Sequence, residues 1–443
     1  MSASTGGPVL EETTVGSYFV ATYPPFSVWT REAVESDARR ALAAAPAAGV
    51  PLGLYLHIPF CRKRCHFCYF RVYTDKNARE VADYIQVLVR EWELYARQAA
   101  VAGRPLNFVY FGGGTPSFLS TAQLQELVGG LSASAPWTEA EEITFECEPG
   151  TLTEGKLAAI RDFGVTRLSL GVENFDDGVL ERNGRAHRSP EIFRAWETAR
   201  GLGFPQINID LIAGMVGETE ENWRSCVQRT LDLGPDSVTI YQMELPYNTT
   251  ISRDLLAGAG QFGGVADWAT KRRWVGEAFA ALEAAGYHVG SAYTAVKDPS
   301  RTHFIYRDRL WQGADLVGLG VASFGIVNGV HMQNHDQWEP YGAAVRRGEI
   351  PLSRAYAPSH EERMIRELIL QLKRGWIRPA YFLDKYGVDV LARFEPQFAS
   401  LRAEGYLAEA GPERLTLSRE GLLRADVLLR RFFLPQHAGI RYT

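Results

Sequence analysis

The stretch Gly53-Leu-Tyr-Leu-His-Ile58, followed by Pro59-Phe-Cys61-Arg-Lys-Arg-Cys65-His-Phe-Cys68, decides the fold and the chemistry. Its first part is apolar and β-prone, and the proline ends it, so the cysteines are predicted on a loop at the C-terminal end of a strand. Barrel and α/β enzymes place their chemistry at such loops. Three soft thiolates spaced CxxxCxxC can bind three irons of a cubic iron–sulfur cluster and leave the fourth iron open to a ligand. Cys61, Cys65 and Cys68 are therefore predicted ligands of a [4Fe–4S] cluster.

Two other uses of the cysteines fit the sequence less well. A zinc site needs four ligands, usually as two CxxC or CxxH pairs. The remaining cysteines, Cys147 and Cys226, are isolated, and only His66 lies near the three. A disulfide framework would leave one of the five cysteines without a partner. The open cluster is therefore the favoured interpretation, and the two isolated cysteines are predicted not to bind iron.

Length, composition and charge describe an ordinary globular protein. The chain has 443 residues, enough for two or three domains, with 46% apolar and 22% charged residues. Its net charge of −5 gives no electrostatic reason to expect nucleic acid or an anionic membrane as partner. The sequence has no apolar run of about 18 residues and no secretory-signal layout at its start. We therefore expect a cytoplasmic protein with neither a nucleic-acid nor a membrane partner.

Short β-prone runs alternate with helical patterns along the first half of the chain. The predicted strands are Leu52–Ile58, Asn107–Gly112, Glu142–Cys147, Thr166–Val172, Gln206–Ile212 and Ser237–Met243. The predicted helices include Glu80–Ala100, Thr121–Leu131, Pro190–Leu202 and Thr219–Leu231. Such alternation predicts right-handed βαβ units around a parallel sheet, and hence an α/β fold. Six strands favour a partial barrel.

The regions around this core differ in character. The prolines of Tyr18–Phe26 exclude a helix in the N-terminal extension, which we expect to cover the substrate. The segment Trp268–Phe324 is predicted to close the open side of the barrel. The end of the chain combines helix, short hairpin and helix, which predicts a winged-helix-like domain whose mixed charge favours a lid or packing role over DNA binding. The predicted division is an extension at 1–48, a core at 49–335, a linker at 336–354 and a C-terminal domain at 355–443.

Motifs beyond the cysteines make a family resemblance specific. They are Tyr55-x-His-Ile-Pro-Phe-Cys61, Phe111-Gly-Gly-Gly-Thr-Pro-Ser117, Glu146-Cys-Glu-Pro-Gly150, Arg167-Leu-Ser-Leu-Gly-Val172, Asn208-Ile-Asp-Leu-Ile-Ala-Gly214 and Gly318-Leu-Gly-Val-Ala-Ser323. Together they resemble the radical S-adenosylmethionine (SAM) superfamily, and within it the oxygen-independent coproporphyrinogen III oxidase group with its two-SAM class C methyltransferase relatives. The resemblance covers most of the chain. It implies a partial (β/α)6 barrel, a [4Fe–4S] cluster and SAM bound at the open iron.

The resemblance also implies the chemistry. A one-electron reductant of the flavodoxin or ferredoxin type would reduce the cluster, and the electron would break the C5′–S bond of SAM. The resulting 5′-deoxyadenosyl radical would take a hydrogen atom from a small-molecule substrate. A dry, closed site would prevent side reactions of such a radical.

Several site residues are also indicated by their own chemistry. Gly113 and Gly114 lack side chains, so their backbone can approach a ligand closely. Glu146 and Asp210 are acids within apolar strands, where a ribose hydroxyl or an ammonium group would be a suitable partner. Arg185 could pair with the carboxylate of SAM.

Resemblance to an enzyme that binds two SAM molecules implies a larger set of contacts. The matching positions are Tyr55, Phe67, Gly113, Gly114, Thr115, Glu146, Glu173, Arg185, Asp210, Met243 and Phe324, with Trp311 and Gln312 at a further pocket segment. Glu173 stands where the family pattern has glutamine. This departure leaves the pose of the second SAM open.

Three functions remain open from the sequence. Methyl transfer is ranked first: a methylene radical from the second SAM would add to an sp² carbon of an aromatic or heterocyclic substrate. Glu244, near a strand end, is the candidate acid/base for this sequence of steps, although a structural salt bridge explains it equally well.

Porphyrinogen oxidation, with decarboxylation of a propionate to a vinyl group, is ranked second. The family's fourth cysteine and an arginine of its N-terminal extension are missing here, since Cys68 is followed by Tyr69-Phe-Arg71. Haem binding without turnover is ranked third, because those relatives lack a long N-terminal extension.

Overall fold

The computed structural model describes residues 20–135, 137–262 and 264–440. They divide into two compact units. The cysteine unit comprises 28–210 and 302–358, and the C-terminal unit comprises 20–27, 211–301 and 359–440. The domain boundaries drawn above stay a prediction, and the part of the extension at 1–19 lies outside the described residues.

The strands and helices have the following bounds. The strands are β1 (Leu52–Ile58), β2 (Phe108–Gly113), β3 (Glu142–Cys147), β4 (Arg167–Glu173), β5 (Gln206–Ala213), β6 (Ser237–Gln242), β7 (His288–Val289), β8 (Thr294–Val296), β9 (Asp315–Leu319), β10 (Phe324–Val327), β11 (Val330–Asn334), β12 (Leu352–Tyr356), β13 (Trp376–Ile377), β14 (Leu407–Ala410) and β15 (Leu415–Leu417). The α-helices are α1 (Arg39–Ala43), α2 (Ala78–Ala96), α3 (Thr121–Ser134), α4 (Glu154–Asp162), α5 (Asp177–Arg182), α6 (Ser189–Gly201), α7 (Glu220–Leu233), α8 (Thr250–Ala257), α9 (Trp268–Ala284), α10 (Ile305–Trp311), α11 (Trp338–Arg346), α12 (His360–Leu372), α13 (Pro379–Tyr386), α14 (Val390–Arg393), α15 (Glu395–Ala403), α16 (Arg419–Leu423) and α17 (Ala425–Leu428).

A largely parallel sheet forms the cysteine unit. Its strand order is β12-β11-β10-β9-β1-β2-β3-β4. The strands from β9 through β1 to β4 are parallel, and β10 to β12 add an antiparallel edge. Six of the seven residues of β1 are buried, as expected for a strand covered on both faces. The predicted α/β class is confirmed, and the carboxyl ends of the parallel strands meet at one edge of the sheet.

Helix α2 covers β1 because its sequence has a clear apolar face. Tyr84, Leu88 and Trp92 recur at helical spacing and are buried. Asn77 caps the first turn through hydrogen bonds to two backbone N–H groups. The Tyr84 hydroxyl donates to the carbonyl of His57 at 2.8 Å, which fixes the helix to the end of β1.

The C-terminal unit holds two groups of three antiparallel strands. Their orders are β6-β8-β7 and β13-β15-β14. Residues 390–403, which precede the hairpin of the C-terminal pattern, form two helices, α14 and α15, because Pro396 lacks the N–H that a continuous helix would need. The winged-helix-like assignment stays a prediction. None of the helices within the described ranges has the length and apolar character needed to cross a bilayer.

Candidate functional site

The three cysteines lie on the loop that follows β1, as predicted. The loop closes on itself, since Tyr73 N–H donates to the Pro59 carbonyl (2.7 Å) and Cys61 N–H donates to the Tyr73 carbonyl (3.1 Å). Cys68 N–H donates to the Cys65 carbonyl at 3.1 Å, which forms a tight turn between two of the predicted ligands. The three thiols are free and half-buried. The loop is therefore ordered by its own backbone.

The surroundings of the sulfur atoms fit a thiolate-bound cluster. Thr115 Oγ1 donates to Cys61 Sγ at 3.3 Å, and Arg185 Nη1 donates to Cys65 Sγ at 3.4 Å. Burial raises the pKa of Cys61 to about 11 and that of Cys68 to about 12, so these thiols would bind as thiolates only if a bound metal supplied the positive charge that favours deprotonation. Within residues 20–135, 137–262 and 264–440, no three His, Cys, Asp or Glu side chains converge on a single-ion site. A cubane binds each thiolate to a different iron, so the donor set fits a cluster better than zinc.

The glycine run at the end of β2 has a packing role that the sequence did not reveal. Gly113 has φ +110°, and a Cβ at this position would lie 2.6 Å from His57 Nδ1. A Cβ at Gly114 would lie 2.9 Å from the Ile58 carbonyl oxygen. Glycine is needed here because the ends of β1 and β2 touch. Contact of Gly113 and Gly114 with SAM stays a prediction.

Three predicted acids lie near one another, Glu146 and Glu173 at the ends of β3 and β4 and Asp210 within β5, and we call these three residues the carboxylate pocket. Each of the two glutamates lies in the electrostatic field of Asp210. Burial raises the pKa of Glu146 to about 7, and Asp210 adds to the increase, although the Tyr110 hydroxyl donates to Glu146 Oε1 at 2.6 Å. Burial likewise raises the pKa of Glu173 to about 7.

Asp210 has a firmly set orientation. Its Oδ2 accepts a hydrogen bond from the Ser169 hydroxyl at 2.7 Å, and its Oδ1 accepts one from the Asn208 amide at 2.8 Å. Ser169 and Asn208 are buried, and neither was singled out from the sequence. Their hydrogen bonds fix the orientation of the Asp210 carboxylate within β5.

Arg185 joins the carboxylate pocket to the cysteine loop. Its Nη2 lies 3.7 Å from Glu173 Oε1, while its Nη1 contacts Cys65. Its Nε is buried without a hydrogen-bond partner among the described residues. Glu173 adopts a left-handed backbone conformation, φ +64°, which is uncommon for a residue other than glycine. The carboxylate pocket and Arg185 thus place both carboxylates and a cation beside the cysteine loop.

The predicted aromatic contacts are spread over the cysteine unit. Tyr55 stacks on Tyr110 with ring centroids 6.0 Å apart, so it lies next to the carboxylate pocket. Phe324 packs edge-on against Trp29 (5.7 Å), and the guanidinium of Arg307 lies over the ring of Trp311 (5.3 Å). Gln312 caps α10 and Phe67 lies half-buried in the cysteine loop. The roles of Phe67, Trp311, Gln312 and Phe324 in binding SAM stay predictions.

Met243 and Glu244 lie in the C-terminal unit, just after β6. The carbonyl oxygen of Met243 accepts a hydrogen bond from Lys271 Nζ at 2.7 Å. Burial lowers the pKa of Lys271 to about 7, and its ammonium lies 3.5 Å from the centroid of the Trp268 ring. Glu244 is buried and its charge acts on Lys271. This environment is compatible with an ion pair, and the acid/base role of Glu244 stays a prediction.

The buried carboxylate of Glu148 also lies near the cysteine loop, and the sequence analysis did not single it out. It accepts hydrogen bonds from Arg62 Nε (3.1 Å) and Nη2 (2.9 Å) and lies 3.1 Å from His187 Nδ1. Burial alone would raise the pKa of Glu148, but the hydrogen bonds from His187 and Arg62 bring it down to about 2. The alternation of acids in Glu146-Cys-Glu148 was a visible signal, but the partners of the second acid were not.

Comparison with known proteins relates the chain to one superfamily. Residues 55–229 match the model of the radical SAM superfamily. The oxygen-independent coproporphyrinogen III oxidase of Pseudomonas aeruginosa is 28% identical over 413 residues, which cover 88% of this chain and 84% of the oxidase. The heme chaperone HemW of Bacillus subtilis is 26% identical over 85% of this chain and 98% of its own length. The structure of coproporphyrinogen III oxidase (HemN) from Escherichia coli has a TM-score of 0.81 and 24% identity, covering 93% of this chain and 96% of that one.

These matches confirm the predicted resemblance to the radical SAM superfamily and its coproporphyrinogen oxidase-like group. The structural match confirms the α/β fold, with the barrel-like architecture that the resemblance implied. A [4Fe–4S] cluster and SAM are the cofactors that define the superfamily, and both were predicted here. The number of SAM molecules is a separate question.

Proposed function

We propose that this radical SAM protein is an enzyme that oxidises a porphyrinogen-type substrate, in the manner of the oxygen-independent coproporphyrinogen III oxidases that it resembles. The observation that carries the proposal is the carboxylate pocket with Arg185, which adjoins a loop bearing three free cysteines at the carboxyl ends of parallel strands. The similarity to an oxidase over 88% of the chain supports the choice of substrate. The cluster would be held by Cys61, Cys65 and Cys68.

When bound, the cluster and SAM would supply a 5′-deoxyadenosyl radical, which takes a hydrogen atom from the substrate. Arg185 would pair with the carboxylate of SAM, for which its fork of N–H donors is suited. Glu146, Glu173 and Asp210 would accept hydrogen bonds from the ammonium group or ribose hydroxyls. Since burial favours the neutral form of the two glutamates, a cationic ligand would draw them into the ionised form.

A second SAM is part of the proposal. Four residues near one another in the cysteine unit could serve two ligands, because each of the three acids can accept several hydrogen bonds and Arg185 has five donors. Tyr55, Phe67, Gly113, Gly114, Thr115, Trp311, Gln312 and Phe324 complete the proposed contact set in this unit. The SAM contact of Met243 stays a prediction. Glu173 would meet either an ammonium group or a ribose.

Methyl transfer, ranked first from the sequence, is less well supported than its alternative. The relatives compared above carry the names of an oxidase and a heme chaperone. The two-SAM residues suit oxidation and methyl transfer equally, so they do not separate the two reactions. The missing fourth cysteine and N-terminal arginine are single-residue arguments, and similarity over most of the chain outweighs them.

Haem binding without turnover is a second candidate function. It is favoured by the match to heme chaperone HemW of Bacillus subtilis, which extends over 98% of that protein.

An electron-transfer protein of the flavodoxin or ferredoxin type is the proposed reductant. A reducing, oxygen-poor cytoplasm is the proposed location, since an exposed cluster is sensitive to oxidation.

One experiment separates these functions. The anaerobically reconstituted protein is incubated with dithionite and SAM that carries a CD₃ methyl group, with and without coproporphyrinogen III. Unlabelled 5′-deoxyadenosine, with carbon dioxide formed only when coproporphyrinogen is added, is the expected result. Deuterated 5′-deoxyadenosine with S-adenosylhomocysteine would indicate methyl transfer instead, and stoichiometric haem binding without turnover would indicate a carrier. Cys61→Ala should abolish SAM cleavage, whereas Cys226→Ala, a buried cysteine in α7, is the matched control that should retain it.

A further inference from the structure

Hydrogen bonds from neighbouring segments fix Glu148 in place. Its backbone N–H donates to Ser117 Oγ at 3.0 Å, and its own Oε1 accepts a hydrogen bond from the N–H of Gly150 at 3.1 Å. Thr151 Oγ1 donates to the Glu148 carbonyl at 2.8 Å and contacts Ser117 Oγ at 2.6 Å. The residue therefore belongs to a hydrogen-bonded turn that joins the segments following β2 and β3.

Arg62 ties the cysteine loop to this turn. The residue directly follows Cys61, and its guanidinium meets both oxygens of Glu148 in the bidentate geometry that suits an arginine–carboxylate pair. The approach requires a glycine, since a Cβ on Gly150 would lie 2.0 Å from Arg62 Nη2. A side chain at position 150 would therefore force the Arg62 guanidinium to move.

His187 extends the connection to the other side of the loop. Its imidazole is fully buried between Glu148 Oε1 (3.1 Å) and the carbonyl of Val172 on β4 (3.2 Å). Two residues earlier along the chain, Arg185 contacts Cys65 Sγ. Glu148 is therefore linked to Cys61 through Arg62, and to Cys65 through the segment 185–187.

We propose that Glu148 is a positioning residue for the iron–sulfur cluster, which fixes the spacing between Cys61 and Cys65 by holding Arg62 and His187. It touches neither iron nor substrate. The inference rests on the proposed assignment of the cluster to Cys61, Cys65 and Cys68. Outer partners of metal ligands tune both the affinity and the electronic properties of a metal centre, so its loss should be visible in the cluster itself.

The test uses the reconstituted holoprotein and two readouts other than turnover. The rate of iron release to a chelator reports how firmly the loop holds the cluster, and the EPR spectrum of the dithionite-reduced protein reports the geometry around it. Glu148→Gln, which keeps the volume and removes the charge, should release iron faster by roughly ten-fold and alter the EPR spectrum. Arg62→Lys keeps the charge but not the fork, so it should fall between the wild type and Arg62→Ala. Gly150→Ala disturbs Arg62 from the opposite side and should reproduce the effect of Glu148→Gln.

A buried ion pair at the amino ends of the parallel strands, opposite the cysteine loop, provides the matched control. Arg104 pairs with Asp315 at 2.7 Å, and Asp315 begins β9 beside the first residue of β1. Asp315→Asn should lower the thermal midpoint and leave iron release and the EPR spectrum as in the wild type. The proposal is overturned if Glu148→Gln and Gly150→Ala keep the wild-type release rate and spectrum, or if Asp315→Asn changes both equally. Retention of the cluster by Cys61→Ala would instead refute the cluster assignment.

Discussion

Glu146 and Glu148 stand two residues apart at the end of β3, yet their surroundings are opposite. Glu148 has a guanidinium, an imidazole and a backbone N–H around it, and the hydrogen bonds from His187 and Arg62 outweigh the effect of burial and bring its pKa down to about 2. Glu146 accepts hydrogen bonds from the Tyr110 hydroxyl and the Gly113 N–H, but burial and the field of Asp210 raise its pKa to about 7. A saturated carboxylate holds structure together, whereas one that lacks a counter-charge is suited to receive a ligand.

The difference teaches how a buried acid in this chain should be interpreted. The partners of Glu148 come from the protein itself, so its charge is balanced when the protein folds. Burial raises the pKa of Glu146 in spite of the charge of Arg167, and it raises the pKa of Glu173 in spite of the charge of Arg185. The carboxylate pocket therefore stores an electrostatic cost that a cationic ligand can relieve.

The largest expected effect is on SAM binding by the carboxylate pocket. Glu146→Gln should weaken SAM binding to the reconstituted protein by about 100-fold, or about 2.7 kcal/mol, because it removes a charge-assisted hydrogen bond. Equilibrium dialysis with labelled SAM measures the change. At neutral pH the same substitution should raise the stability of the cofactor-free protein, because it removes the cost of the desolvated charge. Equal SAM affinity in wild type and variant would show that Glu146 does not face the ligand.

The next prediction concerns folding stability, for which Glu148 is the more important of the two acids. Glu148→Gln should lower the free energy of unfolding of the cofactor-free protein by about 2 kcal/mol, because Arg62 and His187 lose a charged acceptor. The estimate is kept low because the Arg62 side chain is 37% exposed and water can replace part of the interaction. Urea unfolding followed by circular dichroism gives the value. Identical unfolding curves for Glu146→Gln and Glu148→Gln would remove the distinction drawn between the two acids.

The acids of the carboxylate pocket and Glu148 should change the stability of the protein with pH in opposite directions. The folded pKa of Glu146 and of Glu173 lies near 7, above the ordinary 4.5, so the folded state binds more protons between these values and stability falls as pH rises from about 4.5 to 7. The folded pKa of Glu148 lies near 2, so its contribution is present above about 4.5 and is lost as pH falls toward 2. Each group changes the free energy of unfolding by up to about 1.4 kcal/mol per pH unit inside its window.

Unfolding of the cofactor-free protein, measured from pH 3 to 8 for the wild type and each variant, tests this pair of slopes. Glu146→Gln with Glu173→Gln should flatten the loss between about pH 4.5 and 7, and Glu148→Gln should flatten the loss on the acid side. Glu91, buried elsewhere with a pKa near 7, contributes the same slope in all variants, so only differences from the wild type are informative. A wild-type slope in the double variant would contradict the assignment to the carboxylate pocket.

Much of the fold followed from the sequence because local signals were strong. The runs Leu52–Ile58 and Glu142–Cys147 matched β1 and β3 residue for residue, since apolar strands bounded by proline or polar residues are well marked. The helix α13 and the short strands β10 to β12 escaped notice, because their pairing with distant segments, rather than periodicity, defines them.

The site was predictable in part for a related reason. Cys61, Cys65 and Cys68 follow one another along the chain, and an acid in an apolar strand is conspicuous, so the loop and the carboxylate pocket could be anticipated. The contact between Arg62 and Glu148 spans 86 residues and depends on the space left by Gly150. Such long-range pairing is set by the packing of the strand ends, and single residues give no sign of it.

The smallest expected effect concerns Cys147, which stands between the two glutamates. It is buried, its sulfur lies 4.0 Å from the carbonyl of Phe145, and burial raises the pKa of its thiol. Because successive residues of a strand point to opposite faces, this thiol lies on the other side of β3 from Glu146. Cys147→Ser should therefore leave the iron content per chain unchanged, while Cys65→Ala should remove the cluster. Metal analysis of the reconstituted proteins decides the matter: loss of iron from Cys147→Ser would mean that a fourth thiolate closes the cluster, and then no iron would be free to bind SAM.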